Sequence, residues 1–554
     1  MSETAALRKQ LDRRLSALRT ERSGYLSHWQ DLSDYVLPRR GKFNVTAGQS
    51  KGGKQGGKII DPTGTLALRT LASGMMTGIT SPARPWFRLS LPDRDLADWG
   101  GAREWLGEVT RRMEHIFAKS NVYNALHVLY EDLGLFGTAA MLIMEDHEDV
   151  VRAYPLTAGE YCLANSERLA VDTLYREFPM TVGQLVGRFG LDACSDNVRS
   201  MFRRGDLDTE IDVVHAVEPN DKRVVDAADA KGMPFRSVYF EKGSRTDAAL
   251  SVKGFRSLPL VAPRWHLAGN EVYGRSPGMD ALPDVRALQV MQKRAAQAID
   301  KAVNPPLVAP PGMRNETVSV LPGAVNFASD PSGKDGFRPV YQVPPDIRGM
   351  REAINETQDR IRSAFFADLF MMMSQQDDVR TAYEIKIRQE EKMLMLGPVL
   401  ERLQDELLDP LIDRTFDIMA RTGLIPPPPD ELQGQALQVD YISPLAQAQR
   451  SVATTGIERL VGFVGNLAAA VPAVLDKVDM DQAVDEYAEA LGTPPKVIMS
   501  DDKVQGIRQA RAQQEQAAQA MQMGMAAAQG AKTLSETETG AGQNALQRIL
   551  GVAQ

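Results

Sequence analysis

Apolar residues between Asp346 and Met419 keep helical spacing for longer than anywhere else in the 554-residue chain, and the breaks in that spacing are informative. Ile347, Met350, Ile354, Ile361 and Phe365 recur at steps of three, four and seven, which places them on one helical face. Arg348, Arg351, Glu356, Asp359, Arg360 and Arg362 occupy the opposite face. The stripe then gives way to Leu369-Phe370-Met371-Met372-Met373 and the polar run Ser374-Gln375-Gln376-Asp377-Asp378, which predicts a loop with an apolar entrance. A second run opens near Thr381 and carries Ile385, Met393, Leu396, Val399, Leu400, Leu403, Leu407, Leu411, Phe416 and Met419, before Gly423 and Pro426 to Pro429 end it. At ~1.5 Å per residue a continuous helix there would span roughly 55–60 Å, too long for the core of one compact domain. Gly397-Pro398 and Asp409-Pro410 are expected to kink or break it, because proline lacks a donor and crowds the preceding turn.

The same reasoning predicts an amphipathic helix over 5–36 with Leu7, Leu11, Leu15, Leu18, Tyr25, Trp29 and Leu32 on its apolar side. A helix rich in small residues follows over 61–82, suited to close approach by a neighbour, and then a helix pair over 102–137. From 139 to 266 the period shortens to two. Ala140 to Glu145, Val150 to Tyr154, Val171 to Phe178, Ile211 to Val217 and Ser237 to Glu241 read as short antiparallel strands flanked by helices. Pro283 to Val303 is a second long helix, with Val285, Leu288, Val290, Met291, Ala295, Ala298, Ile299 and Ala302 on its apolar side and Arg286, Lys293, Arg294 and Lys301 on its charged side. Residues 304–345 form a small excursion rich in proline and glycine. A helix, an excursion and a returning helix suit a ring whose subunits each give a helix pair to a channel wall. Residues 445–493 read as helical, and the Ala/Gln/Met-rich run over 503–530 as a crown helix or a poorly ordered tail. The class is α+β, predominantly helical.

Composition adds bounds. With 43% apolar and 25% charged residues the chain can bury more than one core. Cys162 and Cys194 lack metal-site spacing and read as buried thiols. No signal peptide is recognisable, and the most apolar window, Val461 to Leu475, is too short to span a bilayer. The net charge of -8 conceals an asymmetry: residues 1–120 hold 20 Lys/Arg against 12 Asp/Glu, whereas residues 401–554 hold 12 against 21. Such a chain lacks the dense basic footprint of a repressor or nuclease.

Candidate chemistry is sparse. The tract from Gly48 to Gln55 nearly spells a phosphate loop, but Gln55 stands where a hydroxyl must hold magnesium, so a basic surface loop is the reading. Ser73 and Thr77 lack a histidine and a nucleophile elbow. The six histidines form no HxxxH or HExxH pair, and His215, alternating with Val213 and Val217, reads as a core residue. Asp479, Asp481, Asp485, Glu486 and Glu489 read as the solvated face of a helix. No metal, no cofactor and no catalytic residue is expected.

Several segments resemble a known family in order and spacing. Asp61-Pro-Thr-Gly-Thr, Leu71-Ala-Ser-Gly-Met-Met-Thr-Gly-Ile-Thr-Ser-Pro and Arg84-Pro-Trp-Phe-Arg-Leu are similar to the amino-terminal signature of the portal, or head-to-tail connector, proteins of short-tailed bacteriophages related to T7. The resemblance returns at Tyr273-Gly-Arg-Ser-Pro-Gly-Met-Asp, Asp300-Lys-Ala-Val-Asn-Pro-Pro-Leu, Phe365-Phe-Ala-Asp-Leu-Phe, Leu396-Gly-Pro-Val-Leu-Glu and Tyr441-Ile-Ser-Pro-Leu-Ala-Gln. It covers about residues 5 to 450. It implies a portal fold: a wing over 1–276 and again over 382–443, stem helices over 277–303 and 346–370, a clip over 304–345, a tunnel loop over 371–381, a crown over 444–530 and a disordered tail over 531–554. On that plan Arg286, Lys293, Arg294, Lys301, Arg348 and Arg351 line the stem channel. Met371, Met372, Met373, Ser374, Gln375, Gln376, Asp377 and Asp378 form the channel loop, and Pro305, Pro306, Leu307, Phe327 and Phe337 dock partners at the clip. The implied function is a dodecameric ring at one capsid vertex that passes, retains and ejects double-stranded DNA. Its implied partners are the terminase large subunit, tail adaptor proteins, and capsid and scaffolding proteins. It would be assembled in the host cytoplasm, carried in the virion and associated with no membrane. The competing classes are an enzyme of DNA metabolism, which would need clustered metal-binding carboxylates or a true phosphate loop, and a helical scaffold protein without a channel.

Overall fold

The computed structural model describes residues 3–43, 56–93, 96, 99–225, 227, 229–244, 249–308, 314, 319, 338–339, 347–374, 396–468, 471–490, 499 and 501–536. Helix α1 (Glu3–Val36) precedes α2 (Thr63–Ile79), strand β1 (Phe87–Ser90), α3 (Gly100–Lys119) and α4 (Val122–Phe136). Strands β2 (Ala140–Asp146), β3 (Val150–Leu156), β4 (Tyr161–Asn165) and β5 (Val171–Thr181) lead to the short helices α5 (Val182–Phe189) and α6 (Asp196–Arg204). Then come β6 (Glu210–Pro219), β7 (Phe235–Glu241), β8 (Ser251–Phe255) and β9 (Leu260–Val261). After them run α7 (Pro277–Val303), β10 (Leu307–Val308), β11 (Arg338–Pro339), α8 (Ile347–Ala364) and α9 (Ala367–Ser374). Helix α10 is described over 396–421, β12 is Gln438–Tyr441, and α11 (Pro444–Ala468), α12 (Met480–Ala490) and α13 (Asp501–Glu536) close the order. The helix-dominated α+β class read from the sequence is the class found. Two compact units result, one of Met1–Ser90, Trp105–Pro428 and Leu437–Gln449, the other of Leu91–Glu104, Pro429–Ala436 and Arg450–Gln554.

In the first unit, alternation along the strands sorts side chains onto two faces of the antiparallel sheet β4-β5-β6-β7-β8. Val214 and Ala216 of β6 face α1, where they pack with Leu11, Leu15 and Leu18 alongside Tyr175, Val238 and Phe240. Val213 faces the other way, into Val182, Leu185, Cys194 and Val198 of the short helices and the turn between them. His215 has the parity of Val213. It stacks flat on Tyr239, its cross-strand partner, with ring centroids 3.9 Å apart, and its Nε2 lies 3.0 Å from Ser237 Oγ. Burial pushes the His215 pKa down to about 3, so the ring is neutral, as a core residue must be.

Helix α1 is fastened by its cations as well as its leucines. Arg8 donates to Glu241 O at 2.9 Å and lies over the Phe240 ring, Arg22 donates to Tyr161 O at 2.6 Å, and Arg19 pairs with Glu177. Just beyond α1, Arg40 forks onto buried Asp132 at 2.6 and 2.7 Å. Much of the amino-terminal positive excess is therefore committed to internal contacts rather than offered to phosphates.

The small residues of α2 do what their size permits. A Cβ on Gly74 would stand 2.1 Å from the Phe370 ring of α9, and one on Gly78 would stand 2.7 Å from Leu445. Gly137, at the carboxyl end of α4, has φ +76°, and a Cβ there would meet Gly274 O at 2.4 Å, so both conformation and space demand glycine. The motifs Arg84-Pro-Trp-Phe and Tyr441-Ile-Ser-Pro prove to be neighbours, since β1 pairs with β12 with Phe87 opposite Tyr441.

In the second unit, Asp479 caps α12 by accepting from the Asp481 and Gln482 amides at 3.0 and 3.1 Å, and Arg508 of α13 forks onto Asp481 at 2.6 and 2.7 Å. These carboxylates are thus a cap and an ion pair, in keeping with a solvated helix face. Helix α13 runs on through Glu536, past residue 531 where the sequence reading started a disordered tail, because Ala531 and Lys532 are good helix formers. Among the described residues no helix is long and apolar enough to cross a membrane.

Two outcomes test these contacts. Gly74→Val should force Phe370 away and cost about 1–3 kcal/mol, the usual range for overpacking, read as an earlier urea midpoint with faster amide exchange in α9. Because the folded His215 takes up a proton only near pH 3 while the unfolded chain does so near 6.5, stability should fall as pH drops through that window and be indifferent to this residue above it. His215→Phe should flatten that acid slope in denaturation midpoints followed across the same range.

Candidate channel-lining site

Helices α7 and α8 form an antiparallel pair: Arg360 Nη2 lies 3.0 Å from Asp284 Oδ1, and further along Thr357 meets Met291. Ser276 caps α7 by accepting from the Met279 amide at 3.0 Å, with Pro277 in the first turn. The helix therefore begins six residues before the Pro283 at which its periodicity starts, and Pro283 is carried inside. Burial along α7 ends at Gln289. From there the helix is half-buried or exposed, with Val290, Ile299 and Val303 at 48, 46 and 73% exposure. Helix α8 mirrors this: Ile354, Thr357 and Ile361 are buried, while 348–353 are not. A 27-residue helix is about 40 Å long, so the distal part of the pair projects from its own body.

Where the pair leaves the body, it is held by Asp61. Its Oδ1 accepts from the Thr63 amide at 2.8 Å and from Thr63 Oγ1 at 2.5 Å, starting α2. Its Oδ2 accepts from Gln292 Nε2 of α7 and Gln358 Nε2 of α8, both at 2.8 Å. Gln289 completes the joint: its Oε1 accepts from the amides of Ile60 and Asp61 at 2.6 and 2.8 Å, and its Nε2 donates to Asp61 O at 3.0 Å. Burial pushes the Asp61 carboxyl up, but hydrogen bonds from Thr63, Gln358 and Gln292 outweigh it and hold the group below its ordinary value. The sequence reading quoted Asp61 only within a motif and passed over the three glutamines. The available signal was Asp-Pro-Thr at a helix start and two glutamines three apart on one helical face.

The residues expected to line the channel divide. Arg286 pairs with Asp31 and lies over the Tyr35 ring, so it is engaged with α1. Lys293, Arg294, Lys301 and Arg351 are exposed and form no ion pair among the described residues, and Arg348, 92% exposed, is 3.6 Å from Glu352. Of the clip residues, Pro305 and Pro306 precede β10 and Leu307 opens it, opposite Pro339 of β11, whereas Phe327 and Phe337 lie outside the described residues. Gln375, Gln376, Asp377 and Asp378 lie outside them too, as does the glycine- and lysine-rich tract over 44–55.

Met371, Met372, Met373 and Ser374 form the last turn of α9, not the entrance of a loop. The reason is Phe366, whose φ of 55° puts it in the left-handed region and turns the chain sharply between α8 and α9. That corner resets the helical phase, so the apolar stripe breaks off in sequence where the chain changes direction in space. Leu369 is fully buried, and Phe370 is covered by α2. The Phe366 ring packs on Trp265, with centroids 6.0 Å apart. Next to Trp265, Arg264 is 2% exposed and is met by Glu406, at 2.6 Å from Nη2 and 2.9 Å from the backbone amide. Glu406 sits in a π-helical turn, Gln404–Leu408, immediately before Asp409-Pro410. The expected break there is a widened turn that lets α10 continue. Gly397-Pro398 also lies inside helix.

Two long helices that lose their cover along their length, a carboxylate shared between them and buried arginine anchors describe this region, and among the described residues no group of His, Cys, Asp or Glu is arranged to hold a metal. A family model described as bacteriophage head to tail connecting protein matches residues 8–499. The portal protein of Salmonella phage epsilon15 is 51% identical over 541 residues, covering 97% of each chain. The probable portal protein of Bordetella phage BPP-1 is 46% identical over 543 residues, covering 98% of each. Among solved structures, a chain of the virion of a native gene transfer agent particle matches over 78% of this chain and 91% of its own, with 12% identity and a TM-score of 0.35. This chain therefore belongs to the bacteriophage head-to-tail connecting protein family, the phage portal proteins, which form a channel.

Glu406→Ala would strand the buried Arg264 without its carboxylate and should cost about 3–5 kcal/mol. Thermal unfolding and protease resistance of the purified chain check this, and Arg264→Met with Glu406→Leu together should recover much of the loss.

Proposed function

We propose that twelve copies of this chain form a ring at one capsid vertex, with the α7–α8 pair of each copy around a channel for double-stranded DNA. The observation that carries this reading is the bare distal half of the pair. Among the described residues Val290, Ile299 and Val303 are left largely uncovered, and neighbouring copies related by a closed rotation would supply the cover. Lys293, Arg294, Lys301, Arg348 and Arg351 are spaced along the pair. Each phosphate a cation neutralises adds salt-dependent grip, so a few spaced cations hold DNA loosely enough for it to slide.

On this reading residues 304–345 are the clip, which docks the terminase large subunit during packaging and tail adaptor proteins afterwards. Residues 371–381 narrow the channel and help to retain and release the genome. Capsid and scaffolding proteins are further partners of the ring, which is built in the host cytoplasm before it enters the virion. Purified protein should run many times heavier than its 60.9 kDa chain and show radial symmetry with a central hole by negative stain. Val290→Asp with Ile299→Asp places charge in the contact between copies and should shift the population from rings towards single chains. Persistence of the wild-type chain as a monomer at high concentration would defeat the reading.

A further inference from the structure

We propose that Asp61 is a positioning residue for the channel: its carboxylate sets the separation of α7 and α8 and their angle to the body, and so the bore those helices give to an assembled ring. The proposal rests on the reading of α7 and α8 as channel helices. One oxygen, Oδ2, is shared by Gln292 of α7 and Gln358 of α8, both at 2.8 Å, so the two helices are bridged through a single acceptor. The other oxygen is committed to Thr63, which ties the bridge to α2. Gln289 clamps the backbone of Ile60 and Asp61 from the same face of α7, so the joint cannot slide along that helix.

Its place makes the joint a fulcrum. Buried residues on α7 end at Gln289, and the helix continues for about 16 Å beyond Gln292, so a small rotation at Asp61 becomes a larger displacement at Val303. A further polar link between the helices, Arg360 with Asp284, is solvent-exposed and contributes little.

Three full-length variants separate this role from simple helix capping. Asp61→Ser keeps an oxygen for the Thr63 amide, since serine caps well, but is too short to reach both glutamines. Asp61→Asn keeps the length but turns an NH2 towards two amide donors. Gln292→Leu with Gln358→Leu leaves Asp61 and its cap intact while removing the bridge. Rings of each are imaged by cryo-electron microscopy for bore diameter and followed by hydrogen exchange. We expect all three to change the bore and to raise exchange in 290–303 and 347–357 by about fivefold, the factor given by roughly 1 kcal/mol of lost hydrogen bonding. Protection of α2 should persist in the serine and double-leucine variants. A double-leucine variant with wild-type bore and exchange would overturn the proposal, as would exchange changes confined to α2. Failure of the wild-type chain to form a ring with a central hole would instead remove the channel reading on which the proposal stands.

Discussion

A carboxylate satisfied by neutral donors governs the geometry of this chain. Among the described residues Asp61 has no cation as a hydrogen-bond partner; two groups of Thr63 and the amides of Gln292 and Gln358 surround it. A carboxylate offers several acceptor positions with no donor to place, so it can serve three helices at once. Neutral donors also avoid the desolvation that a second buried ion would add. The joint is therefore both specific in direction and cheap to bury, which suits a point where two long helices must leave a packed body at a defined angle.

Charges elsewhere follow a consistent division of labour. Arginines that touch the body, such as Arg8, Arg22, Arg40, Arg264 and Arg414, bond to backbone carbonyls or buried carboxylates. Arg414 shows the extreme: burial pulls its pKa down to about 10, and it binds Ile143 O and Ser257 O without a carboxylate partner in those bonds. Lys293, Arg294, Lys301, Arg348 and Arg351, on the projecting helices, remain in solvent. Net charge along the sequence is thus a poor guide to where phosphate could be met, since the basic segment over 1–120 uses many of its charges inwardly.

Periodicity made the long helices legible, because α1, α3 and α4 each bury one continuous stripe. It also made β2, β3, β5, β6 and β7 legible, because their alternation is clear. It failed where the pattern carries no period. Strand β4 is buried at Tyr161, Cys162, Leu163 and Ala164 in succession, and β8 is an edge strand with exposed Val252 and Lys253. The pairing of β1 with β12 joins segments separated by most of the chain, which no local window reports. Helix α9 was read as a loop because a single residue, Phe366, turns the stripe out of phase. The joint at Asp61 was hidden for a different reason: glutamine is ordinary on a helix surface, and only the three-dimensional meeting of Gln289, Gln292 and Gln358 gives those side chains a purpose.

The left-handed Phe366 has a mechanical meaning. Backbone of that kind costs a bulky residue about 1–2 kcal/mol, and the contacts of Phe366 with Trp265 and of Phe370 with the groove at Gly74 oppose the tendency to relax. The corner between α8 and α9 is thus a sprung joint. Force that draws Phe370 out of its seat would let α8 and α9 straighten towards one rod, and the work stored in one dihedral angle would be returned as movement at the end of the helix.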